Sequence, residues 1–150
     1  MSLPLPRPTH DDAEFWAAAR RGELRFQRCT ACGRFRHYPR PTCAQCRSCA
    51  FTWERSTGRG TVWTWTIVRG PTLPGFAAEL PYNVVDVLME EGVHFVSQLL
   101  DCPPEKLRAG LTVEAVRQIR GTSTAQVEGC ELVLVAGANT DPTGAVLLHS

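Results

Sequence analysis

The chain has 150 residues, of which 43% are hydrophobic, and this length allows one sizeable core but excludes several large domains. Residues 1–12 lack the charged start, apolar middle and cleavage site of a secretory signal, and no apolar run approaches the ~20 residues that span a bilayer. We therefore expect a soluble, cytoplasmic protein with a net charge near zero, +1 at pH 7.

The first predicted element is a helix over residues 10–21, which follows a proline-rich arm at residues 1–8. Thr9 and Asp12 stand at its start in a relative of the capping box, and Gly22 ends it. Three apolar side chains share one face of this helix at helical spacing: Phe15, Trp16 and Ala19. That spacing favours packing against a core over an exposed binding surface.

A cysteine-rich segment follows a short predicted strand at residues 23–29. Residues 28–49 hold five of the seven cysteines, and in a reducing compartment such clusters bind metal more often than they form disulfides. Two pairs have two residues between their thiols: Cys29 with Cys32, and Cys43 with Cys46. Each pair can form a tight turn, or knuckle, with both sulfurs on one side. The hairpin between the knuckles can then bring four thiolates to the corners of a tetrahedron, each sulfur about 2.3 Å from a central zinc ion. A closed tetrahedron leaves no place for a water, so the spacing predicts a structural metal site that contributes roughly 10 kcal/mol to folding.

Three alternatives to this zinc site stay open on spacing alone. Cys49 could pair with Cys46 in place of Cys43, although the choice of Cys43 leaves the shorter and more usual loop. The same spacing also suits iron in a rubredoxin-like site and, less well, a thiol redox centre. His37 lies in the middle of the hairpin, where we expect a structural or solvent-facing role and not metal binding.

The second half of the chain predicts a small β-barrel. Strand-like segments separated by turn signals run over residues 51–56, 58–70, 82–89, 93–100, 111–119 and 130–136, with a short further run at 145–149. Closure of about five antiparallel strands after residue 58 would remove their exposed edges, so we expect a five-stranded Greek-key barrel. We place the boundaries at residues 1–22 for the arm and helix, 23–57 for the metal ribbon and 58–150 for the barrel.

The sequence also predicts where several side chains of this barrel lie. Trp63 and Trp65 stand two apart on one strand and are expected to share a face, as core residues in preference to a binding surface. Glu90 and Glu91 are expected to point apart into solvent from a tight turn. None of the four histidines lies in a recognisable catalytic motif, and His94 is expected to be at least partly in solvent. The sequence therefore predicts no catalytic constellation.

Charge is distributed unevenly along the chain. Residues 20–59 hold ten arginines against two acidic residues, so their balance is 10 − 2 = +8 and that of the remainder is 1 − 8 = −7. Such asymmetry is typical of a surface that meets anions, although four thiolates around a divalent metal would offset about two of these charges. Residues 60–150 contain five basic and ten acidic residues, which would repel a phosphate backbone.

Five segments, taken in chain order, resemble the zinc-ribbon plus OB-fold family of acyl-CoA-associated proteins over about residues 13–118. They read FWAAARRGELRFQRCTACGRFRHYPRPTCAQC, GRGTVWTWTIVRGPTLPGF, LPYNVVDV, EGVHFVSQLLD and LRAGLTVEAV. The resemblance implies a mainly β fold with an N-terminal helix, a rubredoxin-like zinc ribbon and a five-stranded OB-fold barrel. It also implies that the ligands of a structural zinc are Cys29, Cys32, Cys43 and Cys46. Beyond about Arg120 the chain departs from the family pattern.

Members of this family look like non-catalytic partners of thiolase-like enzymes, among them acyl-CoA thiolases, hydroxymethylglutaryl-CoA synthases, and the hydratases and aldolases of steroid side-chain degradation. The resemblance implies an accessory subunit of a hetero-oligomer, which helps to assemble such an enzyme or to position its acyl-CoA substrate. The residues expected to contact acyl-CoA or the partner are Phe15, Trp16, Arg34, Arg36, Arg40, Pro74, Gly75, Phe76 and Tyr82. Two rival hypotheses are a single-stranded nucleic-acid-binding protein, because zinc ribbons and OB barrels both bind single strands, and an enzyme that acts alone.

Overall fold

The computed structural model describes residues 7–70, 77, 80–100, 102–119 and 130–136, and it confirms the mainly β architecture. The elements are helix α1 (Ala13–Arg20) and strands β1 (Arg25–Cys29), β2 (Phe35–Arg36), β3 (Phe51–Arg55), β4 (Arg59–Val68), β5 (Tyr82–Met89), β6 (His94–Ser97), β7 (Leu99–Leu100), β8 (Thr112–Ile119) and β9 (Cys130–Ala136). A 3-10 turn, Pro104–Lys106, lies between β7 and β8. In the part of the chain that is described, no helix has the length and apolar character needed to cross a lipid bilayer. The strand predicted at residues 145–149 lies outside the described residues.

Helix α1 begins at Ala13, three residues later than predicted. A turn precedes it, and Asp12 anchors that turn: its Oδ1 accepts hydrogen bonds from the backbone N–H of Thr9 and, at 2.8 Å, from the Thr9 hydroxyl. Trp16 Nε1 donates to the other carboxylate oxygen of Asp12 at 3.2 Å. Phe15 is buried on the face predicted to pack in the core, which confirms that prediction.

The ribbon is a three-stranded antiparallel sheet with the strand order β2-β1-β3. Gln27 on the central strand lies opposite both Arg36 and Trp53 and is 1% exposed. Its Oε1 accepts hydrogen bonds from Arg36 Nε at 2.7 Å and from the backbone N–H of Arg40 at 2.9 Å. One buried carboxamide therefore ties the chain that follows β2 back to the sheet.

The remaining strands form a second sheet with the order β6-β5-β4-β8-β9-β7. The segment predicted as one strand over residues 93–100 divides at Gln98, where β6 ends its antiparallel pairing with β5 and β7 begins a parallel pairing with β9. Because β6 and β7 are consecutive in the chain but lie at opposite edges, the sheet must curl until its edges meet. This curled sheet confirms the predicted OB-type architecture.

The helix, the ribbon and the barrel share one hydrophobic core. Phe15 comes from α1, Phe26 from β1 and Phe95 from β6, and all three are buried in the same cluster. The imidazole of His37 lies among them, with ring centroids 5.3 Å from Phe15, 5.3 Å from Phe26 and 5.2 Å from Phe95. His37 is therefore a structural residue at the junction of ribbon and barrel.

A β-bulge in β4 overturns the prediction that Trp63 and Trp65 share a core face. Val62 lies opposite Val87, and Thr64 lies opposite Asp86, so one residue of β4 is left without a partner between them. The strand changes phase at that residue, and Trp63 is 60% exposed. Trp65 pairs with buried Val85 on the inner face but remains 39% exposed. The two indoles therefore lie on opposite faces, and neither is a buried core residue.

The turn between β5 and β6 is also different from the prediction, because its two carboxylates converge. Thr57 donates its backbone N–H to Glu91 Oε1 at 2.8 Å and its hydroxyl to Glu90 Oε2 at 2.7 Å. Thr57 belongs to the short connection between β3 and β4, that is, between the ribbon and the barrel. Glu90 and Glu91 therefore hold this connection in place, where we expected them to point apart into solvent.

Candidate metal centre and partner-binding residues

Four cysteine sulfurs meet at one end of the ribbon. The Sγ atoms of Cys29, Cys32, Cys43 and Cys46 all lie within 4.8 Å of one another. The closest pairs are Cys29 with Cys46 at 3.5 Å and Cys32 with Cys43 at 3.6 Å. Sulfurs at the corners of a tetrahedron 2.3 Å from zinc would be ~3.8 Å apart, so this cluster has the size that zinc requires.

The two cysteine pairs sit in turns of matching geometry. Gly33, four residues after Cys29, donates its N–H to the Cys29 carbonyl at 2.8 Å and has a φ of +75°. Arg47, four residues after Cys43, donates its N–H to the Cys43 carbonyl at 2.9 Å and has a φ of +62°. Arginine adopts this left-handed conformation at a cost that glycine avoids, so the second knuckle is the more strained of the two.

The thiols perturb one another's ionisation. The pKa of the Cys29 thiol is lowered, chiefly by a hydrogen bond from the backbone N–H of Cys32. The pKa of the Cys43 thiol is lowered to about 6, chiefly by a hydrogen bond from the backbone N–H of Cys46. The Ser48 N–H also lowers the pKa of Cys46, but the neighbouring Cys29 sulfur and desolvation outweigh it and raise that pKa to about 12. Four thiolates this close repel one another, and a divalent cation at the centre would relieve that repulsion.

The structure places the other candidate ligands outside this cluster. Neither Cys49, which is exposed, nor Cys102, which is buried, belongs to the four-sulfur group. His37 is held in the aromatic core, where burial lowers its pKa to about 4. Within the described residues, no second group of three or more metal-binding side chains is found.

The residues expected to contact acyl-CoA or a partner are distributed over the helix, the ribbon and the barrel. Phe15 is buried in the core, and Trp16 is half-buried beside it. Exposed Arg34 donates to Gln45 Oε1 at 3.0 Å, next to the second cysteine pair. Tyr82 begins β5, far along the chain from these. Pro74, Gly75 and Phe76 lie outside the described residues.

Arg36 and Arg40 both contact Gln27, whose Oε1 accepts hydrogen bonds from Arg36 Nε and from the backbone N–H of Arg40. The Arg36 guanidinium also lies over the Phe51 ring, 4.8 Å from its centroid. Its two terminal nitrogens are buried and have no hydrogen-bond acceptor. Neither Arg36 nor Arg40 forms an ion pair with any described residue, so both charges remain uncompensated there.

One group of surface residues was missed by sequence reasoning. Trp63, on the outer face of β4, packs edge-on against His94 of β6, with ring centroids 5.7 Å apart. His94 Nδ1 in turn lies 3.0 Å from Asp86 Oδ1 on β5. The three residues come from three strands, and the bulge at Trp63 hides their common face from a simple alternation pattern.

Comparison with protein families gives two adjacent matches. The rubredoxin-like zinc ribbon domain of ChsH2 matches residues 16–52, and the C-terminal OB-fold domain of ChsH2 matches residues 53–118. The two domains follow one another in the order predicted from the sequence. Together with the four-sulfur cluster, they confirm the predicted zinc ribbon and its zinc.

Three curated relatives are similar over part of their length. A probable enoyl-CoA hydratase alpha subunit of Thermomonospora curvata is 36% identical over 112 residues, 73% of this chain and 34% of the relative. The 3-oxo-4,17-pregnadiene-20-carboxyl-CoA hydratase alpha subunit of Mycobacterium tuberculosis is 34% identical over 110 residues, again 73% and 34%. A DUF35 domain-containing scaffold protein of Pyrococcus furiosus is 43% identical over 82 residues, 54% of this chain and 60% of the relative. The chain thus spans about a third of the length of the two hydratase subunits.

Among solved structures, the chain is similar to a chain of the Ltp2-ChsH2(DUF35) aldolase. The two superpose with a TM-score of 0.76 at 30% sequence identity, over 87% of this chain and 98% of the other. Similarity at this level covers the ribbon and the barrel together, in the same relative arrangement.

Proposed function

The chain belongs to the ChsH2 family of zinc-ribbon and OB-fold proteins, and from this premise we propose that it is a non-catalytic accessory subunit of a thiolase-like enzyme. In this role it would help to assemble the enzyme or to position its acyl-CoA substrate. The observation that carries the proposal is the similarity over 98% of a chain from an aldolase complex. Relatives that are named scaffold proteins support the same reading.

The metal centre supports a structural role. Four sulfurs complete a tetrahedral shell, which leaves zinc no open position at which to polarise a carbonyl or to activate a water. We propose Cys29, Cys32, Cys43 and Cys46 as its ligands. Zinc would then stabilise a ribbon that carries its own small sheet, and chemistry on the acyl thioester would depend on residues of the partner.

The hydratase relatives are compatible with this assignment. Their names describe proteins about three times as long as the matched region, so their catalytic activity need not reside in the part that this chain shares. Exposed Arg34 and Arg40 on the ribbon lack ion-pair partners among the described residues and could meet acidic side chains or CoA phosphates in a complex.

The test is reconstitution with a thiolase-like enzyme from the same organism. The chain and the enzyme are purified separately, mixed, and examined by size-exclusion chromatography with light scattering and by an acyl-CoA turnover assay. We expect a stable hetero-oligomer, a turnover rate at least tenfold above that of the enzyme alone, and no turnover by the chain alone. Absence of a complex, together with unchanged enzyme activity, would overturn the proposal.

The same preparation separates the rival functions. Turnover of acyl-CoA by the isolated chain would make it an enzyme in its own right. A salt-sensitive gel shift with single-stranded oligonucleotides would favour the nucleic-acid hypothesis. The charge of residues 60–150 argues against that hypothesis, because acidic residues outnumber basic ones there.

A further inference from the structure

One exposed face of the barrel carries an aromatic patch that the proposed function has not yet used. The bulge in β4 points Trp63 outward, where it is 60% exposed, and Val96 on β6 is 49% exposed. Trp63 rests against His94, and Asp86 holds His94 through a contact of 3.0 Å. An exposed indole that is positioned in this way by two further side chains is typical of a binding hot spot, because little freedom is lost when a partner packs on it.

A groove continues this patch across the sheet. Its volume is about 370 Å³, and it is lined by the start of β4, the end of β5 and the start of β8. Thr61 in the groove lies opposite both Leu88 and Thr112, and Leu88 lies opposite His94. Because directly opposed residues share a face, these four form one cross-strand row that joins the groove to the aromatic patch.

The charge of this surface is negative. Four formally charged side chains lie on it or at its rim: Asp86, Glu90, Glu114 and Arg59. With His94 neutral, their sum is 1 − 3 = −2. Arg59 Nε lies 3.3 Å from Glu90 Oε1, and Asp86 contacts His94. Among the described residues, neither Asp86 nor Glu114 has an arginine or lysine within ion-pair distance. The face of an indole attracts cations as well, so aromatic and acidic groups here select for the same chemistry.

We propose that the Trp63 face, defined as Trp63, His94, Val96 and Asp86 with the adjoining groove, is the docking surface for a segment of the partner enzyme that presents lysine or arginine beside apolar side chains. This inference rests on the proposed function, because the occupant is a surface of the thiolase-like enzyme. The apolar part would cover Trp63 and Val96, and the cationic part would lie at the Asp86 and Glu114 carboxylates.

The experiment measures the affinity of the full zinc-loaded chain for the purified thiolase-like enzyme by isothermal titration calorimetry. Trp63→Ala is expected to weaken binding roughly 30-fold, as truncation of a tryptophan hot spot does. Trp65→Ala is the matched control, because it removes the same side chain from the opposite face of the same strand, and it is expected to change the affinity less than about twofold. Glu114→Lys is expected to weaken binding and to reduce its dependence on salt. Far-UV circular dichroism and zinc content check that each variant is folded.

The outcomes separate this surface from the proposed function. If the wild-type chain binds the enzyme and Trp63→Ala binds it equally well, the docking surface is wrong and the accessory role stands. If the wild-type chain does not bind, both fail. If Trp63→Ala abolishes self-association of the chain and leaves enzyme binding unchanged, the face is an interface between copies of this chain and the proposal is overturned. A single-stranded oligonucleotide that binds the wild-type chain but not Trp63→Ala, while both proteins bind the enzyme equally well, would also overturn it.

Discussion

The side chain of Asn83 takes the place of a backbone partner for Leu99. Leu99 donates its N–H to Asn83 Oδ1 at 2.7 Å, and Asn83 Nδ2 donates to the Leu99 carbonyl at 2.9 Å. Both residues are buried. Leu99 lies just after the chain ends its pairing with β5, at Ser97, and is the first residue that pairs with β9. Asn83 therefore supplies hydrogen bonds to the backbone of Leu99 at the point where the chain passes from β6 to β7, and so helps to hold the barrel closed.

Asn83→Ala should destabilise the fold by about 2–3 kcal/mol, because it removes two buried hydrogen bonds, one to the N–H and one to the C=O of Leu99. Equilibrium urea unfolding of the zinc-loaded chain measures the change. Thr66→Ala, at an exposed position of β4, is the control and should change the free energy of unfolding by less than about 0.5 kcal/mol. Equal stability of the two variants would show that the crossing does not depend on Asn83.

Gly60→Ala should destabilise the barrel, because an added Cβ would lie 2.7 Å from the Leu88 carbonyl oxygen and 2.7 Å from Val87 Cγ1. Relief requires strands β4 and β5 to separate, which costs about 1–3 kcal/mol or more. The matched control is Gly70→Ala, whose Cβ would meet nothing within 4 Å. Thermal unfolding of both variants should therefore show a lower Tm for Gly60→Ala alone, and a similar Tm for the two would contradict the close approach.

Gln27→Leu should cost about 2–4 kcal/mol, since it removes the acceptor for Arg36 Nε and for the Arg40 N–H inside the ribbon. Gln45 offers a matched control, because it also accepts a hydrogen bond from an arginine, Arg34, but does so on the exposed surface. Gln45→Leu should change stability by less than about 0.5 kcal/mol. Denaturant titrations of the two variants side by side test the role of burial directly.

The stability of the protein should fall on acidification because of His37. Burial lowers the folded-state pKa of this imidazole to about 4 from an ordinary 6.5, so the unfolded chain binds its proton first. The contribution of neutral His37 is complete above about pH 6.5 and is lost as the pH falls from there towards 4, by roughly 2 kcal/mol between pH 7.5 and 5.

His37→Phe isolates this effect, because it keeps a ring in the aromatic cluster and removes the titrating group. Carboxylates and cysteines titrate in both proteins, so the difference between their free energies of unfolding reports on His37 alone. That difference should shift in favour of His37→Phe as the pH is lowered. A difference that stays constant from pH 7.5 to 5 would mean that the imidazole is not buried as the structure has it.

Zinc should bind the four-sulfur cluster with about one ion per chain and should be needed for the ribbon to fold. Cys43→Ser is expected to lose the metal and the native circular dichroism of the ribbon, and a strong chelator should have the same effect on the wild-type chain. Cys49→Ser is the control, because Cys49 lies outside the cluster, and it should retain its zinc. Loss of zinc from Cys49→Ser with retention in Cys43→Ser would reverse the ligand assignment. Elemental analysis of the purified variants gives the answer.

Local pattern accounts for the parts of this protein that the sequence predicted correctly. The spacing of Cys29, Cys32, Cys43 and Cys46 brings their sulfurs together because each pair lies within one turn and a short hairpin joins the pairs. The strand at Tyr82–Met89 was predicted with its observed bounds because its buried and half-buried residues alternate without interruption. In both cases the interactions that decide the structure join residues close in sequence or repeat with the period of the backbone.

The tertiary structure alone decided the features that depend on a partner strand. The bulge at Trp63 shifts β4 by one residue against β5, and a shift of one residue exchanges the two faces of a strand, so the assignment of Trp63 depends on pairing that β4 does not encode by itself. The contacts of Asn83 with Leu99 and of Thr57 with Glu91 likewise join residues 16 and 34 positions apart. Periodicity and cysteine spacing determined which elements form and which four sulfurs come together. Closure of the barrel decided which side chains meet on its surface, because only closure brings distant strands into a single register.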